Sequence, residues 1–124
     1  MAKTVPDKIL RSAIQNAKRS SFKYRLGAVI FQNNKIISTG FNKGKSHPIT
    51  KEYKEFGSIH AEIDAMLQTT NTNGNDLLVV RILSCNNLAI SKPCEMCQQI
   101  IRKNGIRTVY YIDGNQRIKC LSCQ

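Results

Sequence analysis

Residues 77–112 read LLVVRILSCNNLAISKPCEMCQQIIRKNGIRTVYYI, the part of the chain that is most informative about its topology. It opens with a nearly continuous aliphatic and β-branched run, 77–83, of the kind that forms a strand buried on both faces. A helix is predicted from Pro93, a residue favoured in the first turn, to the Asn104-Gly105 pair that ends it. A second strand follows at 106–112. Because strand, helix and strand in this order form a crossover unit, the two strands are predicted to be parallel.

The rest of the chain supplies further helices and strands around this unit. The predicted elements are a helix over about 6–19, strands over 26–31 and 35–41, a long loop over 42–58 and a helix over 59–70. The first helix has an apolar stripe at helical spacing, and an Asn-Asn pair between the two strands favours a hairpin turn. The sequence therefore predicts an α/β fold, a three-layer α/β/α sandwich with a mixed central sheet and helices on both faces.

Length and composition are those of one globular domain. The chain has 124 residues, of which 41% are hydrophobic and 22% charged, so a single core is expected. The core is assigned to about 5–112, and 113–124 are interpreted as a short basic tail that contains cysteines. The N-terminal MAKTVPDK lacks the apolar segment of a signal peptide, and no apolar run reaches the roughly 20 residues of a membrane span. These features predict a cytoplasmic protein, or one in the host cytoplasm if the source is a virus.

The net charge of the chain is strongly positive. Lysine and arginine number 19 against 8 acidic residues, which gives +11 at pH 7. A field of this sign attracts phosphate, carried either by a free nucleotide or by a nucleic acid. The charge therefore indicates the sign of the partner and not its identity.

Two short motifs place metal-binding residue types at predicted helix starts. They are HAE at 60–62 and PCEMC at 93–97. Cys94 and Cys97 are spaced i, i+3, so both sulfurs can face the same way, and a helix N-terminus favours the thiolate that binds zinc. With His60 as third ligand, one tetrahedral position stays open, as in catalytic zinc sites. Glu62 would lie beside a water in that position and exchange protons with it.

The five cysteines allow several further arrangements. An odd number of cysteines without a signal peptide argues against a disulfide framework. Cys85, Cys120 or Cys123 could complete a closed, structural four-ligand zinc site. Cys120 and Cys123 could also join Cys85 or His47 in a second zinc site. A redox role for the Cys-x-x-Cys pair in PCEMC would leave the HAE motif without a purpose.

The two motifs together resemble the signature of the cytidine and deoxycytidylate deaminase superfamily, His-x-Glu followed by Pro-Cys-x-x-Cys. Further stretches similar to that family are RLGAVI at 25–30, GFN at 40–42 and GIRTVYY at 105–111, so the resemblance covers about 5–112. It implies a cytidine deaminase-like fold, a Zn²⁺ cofactor held by His60, Cys94 and Cys97, and Glu62 as the catalytic proton shuttle. In this family the metal activates the water that attacks the base.

The resemblance also assigns residues to substrate binding. Asn42, as the contact to the sugar hydroxyl, and Ala61 are carried over from the family. Arg25 and Lys43 are candidates for the substrate phosphate, each with the alternative of an exposed surface residue. Tyr110 is a candidate for the pocket wall, because it and its neighbour on the strand point to opposite faces of the sheet.

The expected reaction is hydrolytic deamination of the cytosine in a free pyrimidine nucleotide, dCMP to dUMP, with release of ammonia. One alternative is a base within nucleic acid, tRNA adenosine or single-stranded cytosine. The positive charge favours it, whereas the 6% aromatic content offers little stacking surface. Another is a non-catalytic zinc module that binds RNA or protein, which the intact Glu62 argues against. The expected partners are a small-molecule nucleotide, no membrane, and further copies of the chain in a homo-oligomer.

Overall fold

The structure is a computed structural model, and it describes residues 5–21, 24–43 and 60–122 of the 124-residue chain. The described helices are α1 (Asp7–Lys18), α2 (Ala61–Leu67) and α3 (Glu95–Lys103). The described strands are β1 (Arg25–Gln32), β2 (Lys35–Phe41), β3 (Asp76–Ile82), β4 (Leu88–Ala89), β5 (Thr108–Ile112) and β6 (Ile118–Ser122). Each helix and strand predicted from the sequence is present at its expected place.

The strands form one mixed sheet in the order β2-β1-β3-β5-β6, and β4 pairs with the carboxyl end of β3. β3 and β5 are parallel, with Leu77 opposite Val109, which confirms the crossover predicted from their connection. The other pairs are antiparallel. β1 and β2 form the predicted hairpin, and Asn33 in its turn adopts a positive φ of 54°.

Helices cover both faces of the sheet. On one face α1 packs against buried side chains of β1, β3 and β5, namely Val29, Phe31, Leu78, Val80, Tyr110 and Ile112. On the other face α2 and α3 pack against Ala28, Ile30, Leu77, Val79 and Val109. β3 gives buried residues to both faces, which is why its sequence is apolar at successive positions. The three-layer α/β/α sandwich with a mixed central sheet is thereby confirmed.

Glycines allow two helices to lie very close to the sheet. A Cβ on Gly40 of β2 would collide with the backbone of Ala61 and Ala65 in α2. A Cβ on Gly27 of β1 would likewise collide with the backbone of α1. The first residue of α2 is thus fixed directly over the end of β2, and this contact positions the residue before it, His60.

A serine side chain spans a gap at the centre of the sheet. β3 and β5 pair through residues 76–78 and 108–110. Beyond that pairing, Ser91 Oγ donates a hydrogen bond to Val79 O at 2.7 Å and accepts one from Ile112 N at 2.7 Å. The segment that leads into α3 is therefore tied to both strands shortly before the helix begins.

The segment predicted to be a tail adds a strand to the sheet. Residues Ile118–Ser122 form β6, which pairs antiparallel with β5 along its whole length. Asp113 closes the turn between them, because its Oδ1 accepts hydrogen bonds from the backbone N–H groups of Asn115 and Arg117. β6 is an edge strand without the alternating pattern of a half-buried strand, so no periodic signal for it exists in the sequence.

Two helices are shorter than predicted. α2 ends at Leu67 rather than near residue 70, because Thr69, Thr70 and Asn71 have low helix propensity. α3 begins at Glu95 rather than at Pro93, since the intervening residue has extended backbone and serves as the N-cap. Among the residues that the structure describes, no helix has the length and apolar character needed to cross a membrane.

Candidate active site

Two helices begin at the two sequence motifs. His60 is the N-cap of α2, with φ −70° and ψ 152°, and Cys94 is the N-cap of α3, with φ −66° and ψ 165°. Neither side chain forms a capping hydrogen bond to its own helix. Cys97 follows in the first turn of α3 and is fully buried. The helix starts therefore present one imidazole and two thiols on the same face of the sheet.

The structure brings these three side chains together. One ligand atom from each of His60, Cys94 and Cys97 lies within 4.8 Å of the other two. The His60 Nδ1 atom is 3.1 Å from Cys97 Sγ. The three residues come from two helices that are separated in sequence, so the grouping is a product of the fold and not of local spacing alone.

The donor set fits zinc. Zinc bonds are about 2.3 Å to thiolate sulfur and about 2.0–2.1 Å to imidazole nitrogen, which puts donors of one tetrahedron about 3.5–4 Å apart. The observed separations, 3.1 Å for one pair and at most 4.8 Å for all, lie around that range. Imidazole and thiolate are also the ligands that zinc prefers over the oxygen donors taken by magnesium and calcium.

No fourth ligand joins this group within the described residues. Cys85 and Cys120, which could have closed the site, are exposed and lie outside the cluster. His47 and Cys123, considered for a second zinc site, lie outside the described part of the chain. The three-ligand arrangement is the one expected of a metal site with an open position.

Glu62 lies in the first turn of α2, next to the donor group. Its side chain is buried, with 3% of the residue exposed, and its Oε1 has no hydrogen-bond partner among the described residues. Burial raises the pKa of Glu62, an effect that its backbone hydrogen bond, the nearby His60 and the Cys97 thiol partly oppose. A carboxyl group whose pKa is raised holds a proton more readily, so it can both accept and return one.

The electrostatics of the cluster favour a bound cation. Burial raises the pKa of the Cys97 thiol well above its ordinary value, and the negative charges of Glu62 and Cys94 raise it further. A buried thiolate on Cys97 and the buried Glu62 carboxylate repel each other. A divalent cation between them reverses this balance, because a coordinating thiol gives up its proton to the metal. The cluster therefore suits a metal ion.

A known family accounts for this combination of fold and side chains. The cytidine and deoxycytidylate deaminase zinc-binding region matches residues 3–113. The chain belongs to this deaminase family. The match is to a zinc-binding region, so the expected cofactor is confirmed as zinc, with His60, Cys94 and Cys97 forming the candidate site.

Individual known proteins resemble this chain in sequence or in fold. The diaminohydroxyphosphoribosylamino-pyrimidine deaminase of Buchnera aphidicola subsp. Schizaphis graminum is 28% identical over 95 residues, 75% of this chain and 55% of that protein. A dCMP deaminase from the cyanophage S-TIM5 has a TM-score of 0.60 and 21% identity, over 83% of this chain and 78% of that one. A cytidine deaminase from Burkholderia pseudomallei has a TM-score of 0.67 and 15% identity, over 97% and 94%. This chain spans about 55% of the length of the relatives matched by sequence.

Asn42, the predicted sugar contact of this deaminase-family chain, holds the start of β1. Its Oδ1 accepts a hydrogen bond from Leu26 N at 2.9 Å, and its Nδ2 donates to Tyr24 O at 2.6 Å. The side chain is buried, with 7% of the residue exposed. A contact between Asn42 and a substrate stays a prediction. The observed hydrogen bonds connect Asn42 to the backbone at the start of β1.

Asp64, a residue that sequence analysis does not single out, fixes the end of β2 against α2. Its Oδ2 accepts a hydrogen bond from Phe41 N at 3.1 Å and pairs with Lys43 Nζ at 3.1 Å. Its Oδ1 accepts a hydrogen bond from Gln68 at 3.2 Å. An acidic residue in the first turn of a helix is the available signal, but it does not reveal these partners.

The two cations that are candidates for a phosphate contact bond to other residues of the protein. Arg25 donates through Nη2 to Leu83 O and to Asn86 Oδ1, in the loop between β3 and β4. Lys43, paired with Asp64, also lies 4.5 Å from the centre of the Phe41 ring. It lines a cavity of about 290 Å³ at the outer edge of β2, and none of the three metal ligands lines that cavity. The structure does not bring Lys43 to the metal ligands.

Ala61 and Tyr110 lie on opposite faces of the sheet. Ala61 is the first residue of α2, is fully buried and packs in the same cluster as Cys97. Tyr110 packs on the α1 face, with its ring centroid 6.0 Å from that of Phe31. Tyr110 is therefore the core member of the tyrosine pair on β5 and is not brought to the metal ligands.

Proposed function

We propose that this protein is a zinc-dependent hydrolytic deaminase that converts the cytosine of a free pyrimidine nucleotide, dCMP first among them, to uracil with release of ammonia. The observation that carries the proposal is the buried Glu62 carboxyl group, with an unpartnered oxygen among the described residues, beside a three-ligand metal cluster. In a closed structural site all four ligand positions are filled by protein, so no metal-bound water is present for such a carboxyl group to exchange protons with.

The roles of the residues follow from their positions. Zinc, when bound by His60, Cys94 and Cys97, supplies a Lewis acid that lowers the pKa of water to roughly 7. Glu62 accepts a proton from the attacking water and passes it to N3 of the cytosine. Water oxygen bonds to C4, the bond from C4 to the exocyclic nitrogen breaks, and Glu62 transfers the second water proton to the departing ammonia. The raised pKa of Glu62 suits both halves of this transfer.

A free nucleotide is supported as the substrate class by composition and by the relatives. The relatives are named for dCMP, cytidine and a phosphoribosylamino-pyrimidine, which are all small molecules. The net charge of +11 favours a phosphorylated ligand. With 6% aromatic residues and no tryptophan, the chain has little surface on which to stack a single strand.

A base within nucleic acid is the second candidate, favoured by the same net charge. The two are separated by an ammonia-release assay of the zinc-loaded protein against dCMP, CMP, dCTP, cytidine, diaminohydroxyphosphoribosylaminopyrimidine, single-stranded DNA and tRNA. We expect the highest kcat/KM with dCMP. Release of ammonia from the polymers alone would contradict the proposal, and release from none of these compounds would leave only a zinc-binding module.

A further inference from the structure

We propose that Arg81 binds the phosphate of the substrate nucleotide. This inference rests on the proposed function, because it names the residue that would distinguish a nucleotide from a nucleoside at the same site. It concerns a residue in the middle of the apolar run of β3, where sequence analysis gives no reason to expect a ligand contact.

The first support is the face of the sheet on which Arg81 lies. Side chains alternate along a strand. Val79 packs in the cluster that contains Cys97 and Ala61, while Val80 packs on the α1 face. Arg81 therefore shares the face of the metal ligands, about 7 Å along the strand from Val79.

The second support is the end of the sheet over which the metal ligands lie. Gly40, against which Ala61 packs, pairs with Ala28, and Ala28 pairs with Val79. From the other side, Ser91 is bonded to Val79 O just before α3 begins. Both helix starts thus converge near Val79. Arg81 is the next residue of β3 on that face, toward the carboxyl end.

The third support is the surroundings of the guanidinium group. The residues opposite Arg81 on the two neighbouring strands are Leu26 and Ala89. Both side chains are apolar, so neither can accept a hydrogen bond from the guanidinium group. The Arg81 Cζ atom lies 4.5 Å from the centre of the ring of Tyr24, a residue that is 53% exposed. Stacking on an aromatic ring holds a guanidinium plane in place.

The fourth support is a missing acceptor. Arg81 Nε is buried, and within the described residues it has no hydrogen-bond partner. Burying a donor of a charged group without an acceptor is costly, so such a group points to an acceptor supplied by a ligand. By contrast Arg107 donates through Nε and Nη2 to both oxygens of Asp76, and Arg25 donates to the β3–β4 loop.

Phosphate is the ligand chemistry that fits this donor. A guanidinium group presents parallel N–H donors that match two oxygens of a phosphate, and such charge-assisted bonds are about twice as strong as neutral ones. A nucleotide whose base lies at the metal ligands has its phosphate at the opposite end, toward the surface. Arg81 lies on the sheet face of those ligands and next to the exposed Tyr24 ring.

The test compares Arg81→Gln and Arg81→Lys with the parent protein on dCMP and on deoxycytidine, which lacks the phosphate. For Arg81→Gln we expect KM for dCMP to rise about 10- to 100-fold, with kcat nearly unchanged. The kcat/KM for deoxycytidine should stay within about twofold of the parent, because uniform binding to the phosphate is what is lost. Arg81→Lys should lie between the two.

A charge-matched control is Arg102→Gln, which removes an exposed arginine in the last turn of α3. This variant should leave kcat/KM unchanged for both dCMP and deoxycytidine. Zinc content and thermal unfolding are measured for each variant, and Arg81→Lys, which keeps the cation, replaces Arg81→Gln if the latter does not fold. Equal losses on dCMP and deoxycytidine, no loss on either, or a loss confined to oligonucleotides would overturn the assignment.

A binding measurement separates this inference from the proposed function. Calorimetric titration of dCMP into Glu62→Gln, with and without Arg81→Gln, reports phosphate recognition without turnover. If the parent protein deaminates no cytosine compound but binds dCMP through Arg81, the proposed function falls and this inference stands. If it deaminates dCMP and Arg81→Gln does not weaken dCMP binding, this inference falls and the proposed function stands.

Discussion

At the scale of single residues, Glu62 has a role that can be separated from metal binding. Glu62→Gln keeps the size and polarity of the side chain but removes its ability to take up a proton. We expect ammonia release to fall by about 10²- to 10⁴-fold while zinc content is unchanged. Metal analysis after dialysis and steady-state kinetics on the same sample check both statements. Near-normal turnover of the variant would exclude Glu62 as the proton shuttle.

Cys94 has the opposite expected behaviour, because it is one of the three metal donors. Cys94→Ser should weaken zinc affinity by more than the roughly 10- to 100-fold that follows loss of an outer partner of a ligand. The temperature of unfolding should fall with it, since metal binding and folding are coupled. Cys85→Ser, in an exposed cysteine outside the cluster, is the matched control and should retain full zinc content. Equal zinc content in both variants contradicts the ligand assignment.

At the scale of elements, the contact between β2 and α2 determines where the metal donor at the helix start lies. A methyl group on Gly40 would meet backbone atoms of Ala61 and Ala65, so Gly40→Ala must push α2 away from the sheet. We expect a loss of about 1–3 kcal/mol in the free energy of unfolding, together with weaker zinc binding. Gly114→Ala is the control, because a Cβ added at Gly114 would lie 3.7 Å from Ile90 Cδ1, an ordinary van der Waals contact. Chemical denaturation of both variants, zinc-loaded and zinc-free, measures the difference.

The elements differ in how far the sequence predicts them. β3 is predictable because burial on both faces makes its residues apolar at successive positions, a pattern that is visible without partners. β6 is not predictable in this way, because it is an edge strand held by its backbone pairing with β5. Backbone pairing does not require apolar and polar residues to alternate, and IKCLS shows no such alternation. The metal donors can be located for a similar local reason, since each motif sits at a helix start with fixed spacing.

Contacts between distant segments cannot be derived from the sequence. Lys43 is a candidate for a phosphate contact or an exposed surface residue, and in the structure it pairs with Asp64, twenty-one positions later in the chain. Tyr110 is a candidate for the pocket wall, but the register of β5 turns it toward α1. The surroundings of Arg81 come from β1 and β4, so neither its unpartnered nitrogen nor the Tyr24 ring follows from its own segment.

At the scale of the whole molecule, the charge of +11 makes salt a test of substrate class. A mononucleotide brings one phosphate group, so KM for dCMP should change by no more than about threefold between 50 and 200 mM salt. A single strand with six to ten phosphate contacts would lose roughly 10²- to 10⁴-fold in affinity over the same interval. Parallel measurements with dCMP and a single-stranded oligonucleotide decide between the two, and a steep salt dependence for dCMP contradicts the expectation.

The hydroxyl group of Ser91 determines how far apart β3 and β5 lie beyond the point where their pairing ends. Two neighbouring parallel strands would normally stay paired to their ends, but here one oxygen atom lies between them as a spacer that donates to one strand and accepts from the other. Ser91 bridges the split with its hydroxyl group and also with its backbone N–H, which donates to Ile112 O at 3.0 Å. Because Ser91 lies four residues before α3, this bridge also fixes the segment from which the cysteine-bearing helix begins.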